Sequence, residues 1–93
     1  DMARIMIVED EKQMRKIVAE YMRRGGHSCV EAEDGIEALS LLKQESVDLM
    51  ILDICMPHLD GFSVCRVARE MSSMPIVLLT ARTKEEDKLK GYE

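Results

Sequence analysis

The chain has 93 residues, a length that supports one domain with a modest hydrophobic core. Hydrophobic residues make up 46% of it and charged residues 33%, and the formal net charge is -5, which fits a soluble cytoplasmic domain and argues against a nucleic-acid surface on these residues. No apolar run is long enough to cross a membrane, and the N-terminal residues lack a signal-peptide pattern. We therefore expect one cytoplasmic domain over residues 1–93 that contacts neither nucleic acid nor membrane directly.

The cysteines give little support for a disulfide or a zinc site. Cys29, Cys55 and Cys65 are odd in number and lack the paired spacing of zinc ligands. Reduced structural thiols are the simplest interpretation. The Cys55-x-x-His58 spacing and His27 are compatible with a soft metal, but one pair of ligands is too few for a closed site.

The first quarter of the chain predicts a strand followed by a helix. Residues 5–8 form a short apolar run that ends in Glu9 and Asp10, as expected of a buried strand ending in carboxylates. The apolar period then becomes helical, the basic residues fall largely on other faces, and Gly25 and Gly26 end the helix. The apolar residues that fall on one face of this helix are Met14, Ile17, Val18, Tyr21 and Met22.

The middle of the chain repeats this pattern. Residues 27–33 alternate in polarity and predict a second strand, and residues 36–45 predict a short second helix. Its predicted core side carries Ala38, Leu39 and Leu42. The apolar run 49–52 then indicates a strand buried on both faces, with Asp53 at its carboxyl end.

A third helix and a fourth strand complete the pattern. The helix is predicted over residues 62–71 and the strand over residues 76–79, whereas the charged segment 83–93 predicts a weak helix. The predicted buried stripe of the third helix is Phe62, Val64, Cys65, Ala68 and Met71. Strands that alternate with helices through short loops predict an α/β fold, a doubly wound parallel sheet with right-handed crossovers.

Three carboxylates follow strands that are expected to be neighbours. If the first and third strands are adjacent, Glu9, Asp10 and Asp53 meet at the carboxyl edge of the sheet, where ligands bind in open α/β folds. Such a cluster either raises a pKa or holds a cation, and Mg²⁺ fits oxygen ligands of this kind. With Mg²⁺ bound, a carboxylate can act as nucleophile toward a phosphoryl group, and Thr80 could donate a hydrogen bond to that group.

Each of these residues also has a purely structural interpretation. Asp10 precedes a helix and Gln13 stands three residues later, so Asp10 could be the N-cap of a capping box. Asp53 could cap the loop after its strand, and Asp60 is expected to cap the third helix. Thr80 is β-branched and suits a strand for that reason alone. The joint occurrence of the acidic residues with Thr80 favours the functional site.

Several spaced motifs resemble the receiver domain of two-component response regulators. They are Val8-Glu9-Asp10, Asp53 with Met56-Pro57 and Asp60-Gly61, and Leu79-Thr80-Ala81-Arg82. The resemblance extends from the first strand into the fourth helix. It implies a flavodoxin-like sheet of strand order 2-1-3-4, with the fifth strand and fifth helix absent.

The resemblance also implies a role for each motif residue. Asp53 would be the phosphoacceptor and Thr80 the switch hydroxyl. Glu9, Asp10, Asp53 and the backbone carbonyl of Cys55 would hold Mg²⁺. A receiver of this kind is not an enzyme in the usual sense, but a phosphoacceptor that assists its own phosphorylation and dephosphorylation.

The partners implied by the resemblance are a sensor histidine kinase and an output domain. Arg82 and the run 85–91 resemble the subfamily whose receivers control a winged-helix DNA-binding domain, so a DNA-binding output domain is expected in the parent chain.

The family's fifth strand, fifth helix and phosphoryl-pairing lysine would lie beyond Glu93. The lysines of the last segment are poor substitutes because they follow the fourth strand and should face solvent; they are Lys84, Lys88 and Lys90. The strand 76–79 would then be an exposed apolar edge, which predicts self-association or domain swapping.

Rival functions are distinguished by single residues. A phosphatase of the haloacid dehalogenase type would require a second aspartate two residues after Asp53, where Cys55 stands. A nucleotide-binding domain would need a glycine-rich loop after the first strand, and residues 10–12 offer none. The remaining alternatives are a receiver-like interaction module that is never phosphorylated and an inactive truncated fragment.

Overall fold

The computed structural model describes residues 2–53 and 61–79. Strands and helices alternate in the order β1 (Arg4–Val8), α1 (Lys12–Arg24), β2 (Ser28–Ala32), α2 (Gly35–Gln44), β3 (Leu49–Asp53), α3 (Gly61–Met71) and β4 (Ile76–Leu79). Across those two ranges, no helix combines the length and apolarity needed to span a membrane. The predicted helix over 83–93 and the predicted cap at Asp60 lie outside the described residues.

The four described strands form one parallel sheet of order β2-β1-β3-β4. This confirms the predicted α/β class and strand order. The β1–β3 pairing sets Ile7 beside Ile51 and Val8 beside Leu52. The reversal of strand order between β1 and β3 makes their carboxyl ends the switch point of the sheet.

Each face of the sheet has its own core, because successive side chains of a strand point to opposite faces. On one face, α1 packs through the buried Ala19 on Ile5, Ile7 and Ile51. On the other face, α2 and α3 cover a larger cluster: Met6, Val8, Val30, Ala32, Ala38, Met50, Leu52, Val64, Ala68 and Met74. Helices on both faces explain why β1 and β3 are almost continuously apolar.

Local signals fix where the helices begin and end. Asp34 caps α2, since its Oδ1 accepts a hydrogen bond of 2.8 Å from the Glu37 amide. Helix α1 ends where Gly25 follows Arg24, and Gly26 adopts a φ of +95° that a residue with a Cβ would tolerate poorly. The predicted boundaries of these helices are therefore confirmed to within one or two residues.

The predicted apolar faces of α1 and α3 are wider than the contacts they make. Ile17 and Tyr21, on the apolar face predicted for α1, are 61% and 75% exposed. Phe62 and Met71 of α3 are also exposed, so their prediction as part of a buried stripe is wrong. The small residue Ala19 is the buried residue of α1 in the core on this face of the sheet. The helical period identified the apolar face of each helix but not which of its residues are buried.

An apolar groove lies between α1 and β4. Its volume is about 440 Å³, and its lining is Ile17, Val18, Tyr21, Met22, Ile51, Val77 and Leu79. In β4, which the sequence predicted as an apolar strand, the side chains of Val77 and Leu78 are exposed.

Candidate functional site

Three of the predicted site residues meet at the carboxyl edge of the sheet. Glu9, Asp10 and Asp53 each offer one carboxylate oxygen, and these oxygens all lie within 4.8 Å of one another. Glu9 and Asp53 are buried, whereas Asp10 is half-buried. The structure thus brings together the acidic residues that the sequence predicted to converge.

Strand register explains this convergence. Ile7 pairs with Ile51 and Val8 with Leu52, so the next position in register sets Glu9 beside Asp53. The alternation of a strand also directs Glu9 and Asp53 to the same side of the sheet as Ile7 and Ile51, which is the side that α1 covers. The Glu9 amide extends the pairing of β1 with β2 through a 3.1 Å hydrogen bond to the Ala32 carbonyl.

The Glu9 side chain holds the start of α1. The N-cap residue of α1 is Glu11, whose side chain makes no capping hydrogen bond, so the alternative interpretation of Asp10 as N-cap is wrong. The Glu9 carboxylate accepts a 2.9 Å hydrogen bond from the Glu11 amide through Oε2. One carboxylate of the cluster therefore satisfies a free amide at the start of the helix.

The cluster is electrostatically unfavourable when all three groups are ionised. Burial, and then the negative charges of Asp53 and Asp10, raise the pKa of Glu9 to about 7, although the hydrogen bond from the Glu11 amide opposes the shift. Two unit charges 4.8 Å apart repel by about 3.5 kcal/mol at an effective dielectric constant of about 20. A bound cation would remove this repulsion.

The donor set fits a hard divalent cation. All three donor atoms are carboxylate oxygens, the ligands preferred by Mg²⁺. Among residues 2–53 and 61–79, this is the one cluster of three metal-ligating side chains. The His27 Nδ1 atom accepts a 3.0 Å hydrogen bond from the Ala3 amide, so this ring nitrogen contributes to the fold.

Two further predicted site residues cannot be placed beside this cluster. Cys55, with its proposed carbonyl ligand, and Thr80, the proposed switch hydroxyl, both lie outside the described residues. His58 of the soft-metal alternative does so as well. Their roles remain predictions.

The sequence reasoning missed Arg15. It placed the basic residues of α1 largely away from the apolar face and gave Arg15 no role, but the Arg15 side chain is only 12% exposed. Its Nη1 atom donates to the Glu9 carbonyl over 2.9 Å, and its Nε atom donates to the Glu31 carboxylate over 3.2 Å. The available signal was its location in the first turn of the helix that directly follows the acidic pair.

Comparison with known proteins gives a sequence match over nearly the whole chain. A family profile described as "Response regulator receiver domain" matches residues 5–93. The "Probable transcriptional regulator ycf27" of Guillardia theta is 44% identical over 90 residues, which are 97% of this chain and 35% of that protein. The "Transcriptional regulatory protein ResD" of Bacillus subtilis is 38% identical over 90 residues, which are 97% of this chain and 38% of that protein. The chain thus spans little more than a third of the length of these relatives.

Solved structures show the same fold. The receiver domain of the Francisella response regulator 1452 superimposes with a TM-score of 0.79 at 27% identity, over 97% of this chain and 75% of that one. The chemotaxis protein CheY4 of Vibrio cholerae superimposes with a TM-score of 0.76 at 27% identity, over 96% of this chain and 80% of that one.

Proposed function

The chain belongs to the response regulator receiver domain family of two-component systems, and we propose that it accepts a phosphoryl group on Asp53 in the presence of Mg²⁺. The observation that carries this proposal is the cluster of three carboxylate oxygens within 4.8 Å at the switch point of the sheet. A buried acidic group at the end of a central strand is a rigid acceptor, because pairing on both sides of β3 fixes its backbone.

Glu9 and Asp10 would hold the metal ion together with Asp53 and the carbonyl of Cys55. Bound Mg²⁺ would supply positive charge that offsets the charge of the phosphoryl oxygens and of the acidic cluster. The burial of Glu9 and Asp53 limits water at the site and strengthens each electrostatic interaction there.

Asp53 would act as the nucleophile. One of its carboxylate oxygens forms a bond to phosphorus while the bond from phosphorus to the donor's imidazole nitrogen breaks, and the electron pair of that bond leaves on the nitrogen. The Thr80 hydroxyl would donate a hydrogen bond to the transferred phosphoryl group. The product is an aspartyl phosphate, and the chain is a signalling acceptor that assists this transfer, not an enzyme that turns over a substrate.

The proposed donor is a sensor histidine kinase, and the proposed output is transcriptional. The two curated relatives described above are named as transcriptional regulators, and this chain matches little more than a third of each. We therefore propose that the parent protein couples this receiver to a DNA-binding output domain. The receiver residues would not touch DNA, in keeping with the net charge of -5.

Intact-mass spectrometry with a small acyl phosphate and Mg²⁺ tests the transfer. We expect one phosphoryl increment on the wild-type chain, none on Asp53→Asn, and an unchanged increment on Asp48→Asn, which alters an exposed aspartate just before the same strand. An increment that survives Asp53→Asn would refute the acceptor assignment. A folded chain with neither an increment nor Mg²⁺ binding would favour an interaction module that is never phosphorylated.

We also propose that the chain self-associates through β4. Within residues 2–53 and 61–79, β4 pairs on one side only, with β3, and the apolar side chains of Val77 and Leu78 are exposed. Light scattering after size exclusion should give a mass above that of one chain, and Leu78→Lys should lower it. A strictly monomeric wild-type chain at micromolar concentration would contradict this proposal.

A further inference from the structure

Arg15 connects the acidic loop to the edge of the sheet. Its guanidinium donates through Nη1 to the Glu9 carbonyl over 2.9 Å and through Nε to the Glu31 carboxylate over 3.2 Å. Glu9 is a proposed metal ligand in the loop before α1, and Glu31 belongs to the edge strand β2. One side chain with two directed donors thus links the backbone of the site to another strand.

The Arg15 contact with Glu9 fixes a peptide group on which two of the three acidic side chains depend. The Glu9 carbonyl belongs to the peptide between Glu9 and Asp10, so its orientation determines where both side chains leave the backbone. The Glu9 amide bonds to Ala32 and the Glu9 carboxylate to the Glu11 amide. Arg15 adds a constraint on the carbonyl side of Glu9.

Glu31 holds the guanidinium in place from the other side. The side chains of Glu31 and Arg15 are only 15% and 12% exposed, so the pair is well shielded from solvent. Lys16 and Arg23 contact the same carboxylate at 3.1 and 3.4 Å, but both are at least half exposed. Arg15 is therefore the shielded partner of Glu31, and it is the partner that also reaches the acidic loop.

We propose that Arg15 is a positioning residue for the metal ligands Glu9 and Asp10, and that Glu31 orients Arg15 for this role. The inference rests on the proposed function, because it assigns Arg15 to the same Mg²⁺ site. Hydrogen-bond partners that orient metal ligands typically change metal affinity by about 10- to 100-fold when they are removed. Without Arg15, the Glu9–Asp10 peptide should sample orientations that separate the carboxylates.

The rival role for Arg15 is to fasten α1 to β2 through Glu31, with no effect on the metal. Arg23 provides the matched comparison, because it contacts the same carboxylate from the last turn of α1. Arg15→Met removes both donors but keeps a long aliphatic side chain, and Arg23→Met removes a contact to Glu31 only. Arg15→Lys keeps the positive charge but replaces two directed donors with one ammonium.

The test measures Mg²⁺ affinity by calorimetry on the full chain, with urea unfolding of the metal-free protein in parallel. We expect Arg15→Met to bind Mg²⁺ about 10-fold or more weakly than wild type. Arg15→Lys should remain several-fold weaker than wild type, and Arg23→Met should match wild type. Hydrogen exchange at the Glu11 amide, which bonds to the Glu9 carboxylate, should accelerate in Arg15→Met and not in Arg23→Met.

The outcomes separate this inference from the proposed function. If wild type binds Mg²⁺ and Arg15→Met binds it equally well, the positioning role is refuted and the proposed function stands. Full recovery of affinity in Arg15→Lys would assign the effect to charge and would also overturn the positioning role. A folded wild-type chain that binds no Mg²⁺ would refute the proposed function and this inference together.

Discussion

Removal of Mg²⁺ should destabilise the folded chain strongly. The acidic oxygens lie within 4.8 Å of one another, so each ionised pair costs about 3.5 kcal/mol at an effective dielectric constant of about 20. Three such pairs would offset most of the 5–15 kcal/mol by which a typical domain is stable. Burial and this repulsion raise the pKa of Glu9 to about 7, so protonation of Glu9 lowers the cost in the metal-free chain.

The stabilisation expected from Mg²⁺ can be expressed as a shift in melting temperature. At a free concentration about 100 times its dissociation constant, a ligand that binds only the folded state stabilises it by about 2.7 kcal/mol. For a domain of this size, each kcal/mol shifts the melting temperature by roughly 4–8 °C, so we expect a shift of roughly 10 to 20 °C.

Thermal melts in EDTA and in Mg²⁺ measure this shift, with NaCl added to match ionic strength. A buffer near pH 8 lies above the raised pKa of Glu9 and keeps that carboxyl group mostly ionised. Asp53→Asn removes one charge from the cluster. In EDTA the variant should therefore have a higher melting temperature than wild type, and Mg²⁺ should raise that temperature by less. Equal melting temperatures for wild type in EDTA and in saturating Mg²⁺ would refute the cation site.

Three further predictions concern stability. Burial raises the pKa of Glu31, but hydrogen bonds and charges from the cationic side chains of α1 outweigh burial and lower this pKa below its usual value. Ionised Glu31 therefore stabilises the fold above its unfolded pKa, and this stabilisation is lost as the pH falls through the lowered pKa of the folded state. Urea unfolding of wild type and Glu31→Gln should therefore differ at neutral pH and converge in acid, and a difference that is independent of pH would contradict this. Asp34→Ala should cost about 1 kcal/mol because it removes the cap bond to the Glu37 amide, whereas Asp34→Ser should cost little; equal losses would exclude capping. Leu52→Ala should cost about 2–5 kcal/mol in urea unfolding because Leu52 is fully buried, and the exposed Leu78→Ala should cost much less; similar losses would contradict the assigned core.

The sequence predicted the order of strands and helices because β1, β3 and β4 are short apolar runs and β2 alternates in polarity, each followed or preceded by turn residues. The run 49–52 and its following Asp53 are an example, since a parallel strand covered on both faces needs apolar residues at nearly every position. The same logic predicted that Glu9 and Asp53 would meet, because the ends of neighbouring parallel strands share one edge.

Contacts that depend on the depth of packing could not be predicted in this way. Helical periodicity gave Ile17 and Tyr21 the same status as Val18, yet the helix approaches the sheet through Ala19 and leaves both residues exposed. The contacts of Arg15 were missed for a related reason. A charged residue on a helix is usually exposed, and its partner Glu31 lies in β2, 16 residues later in the sequence.

The identity of the phosphorylated residue is the most direct test of the proposed function. Borohydride reduction converts an aspartyl phosphate to homoserine, and peptide mass spectrometry then identifies the position. After treatment with a small acyl phosphate and Mg²⁺, we expect homoserine at position 53 and at no other position. Homoserine at Asp10, or a phosphorylated chain without homoserine at position 53, would contradict the assignment of Asp53 as phosphoacceptor.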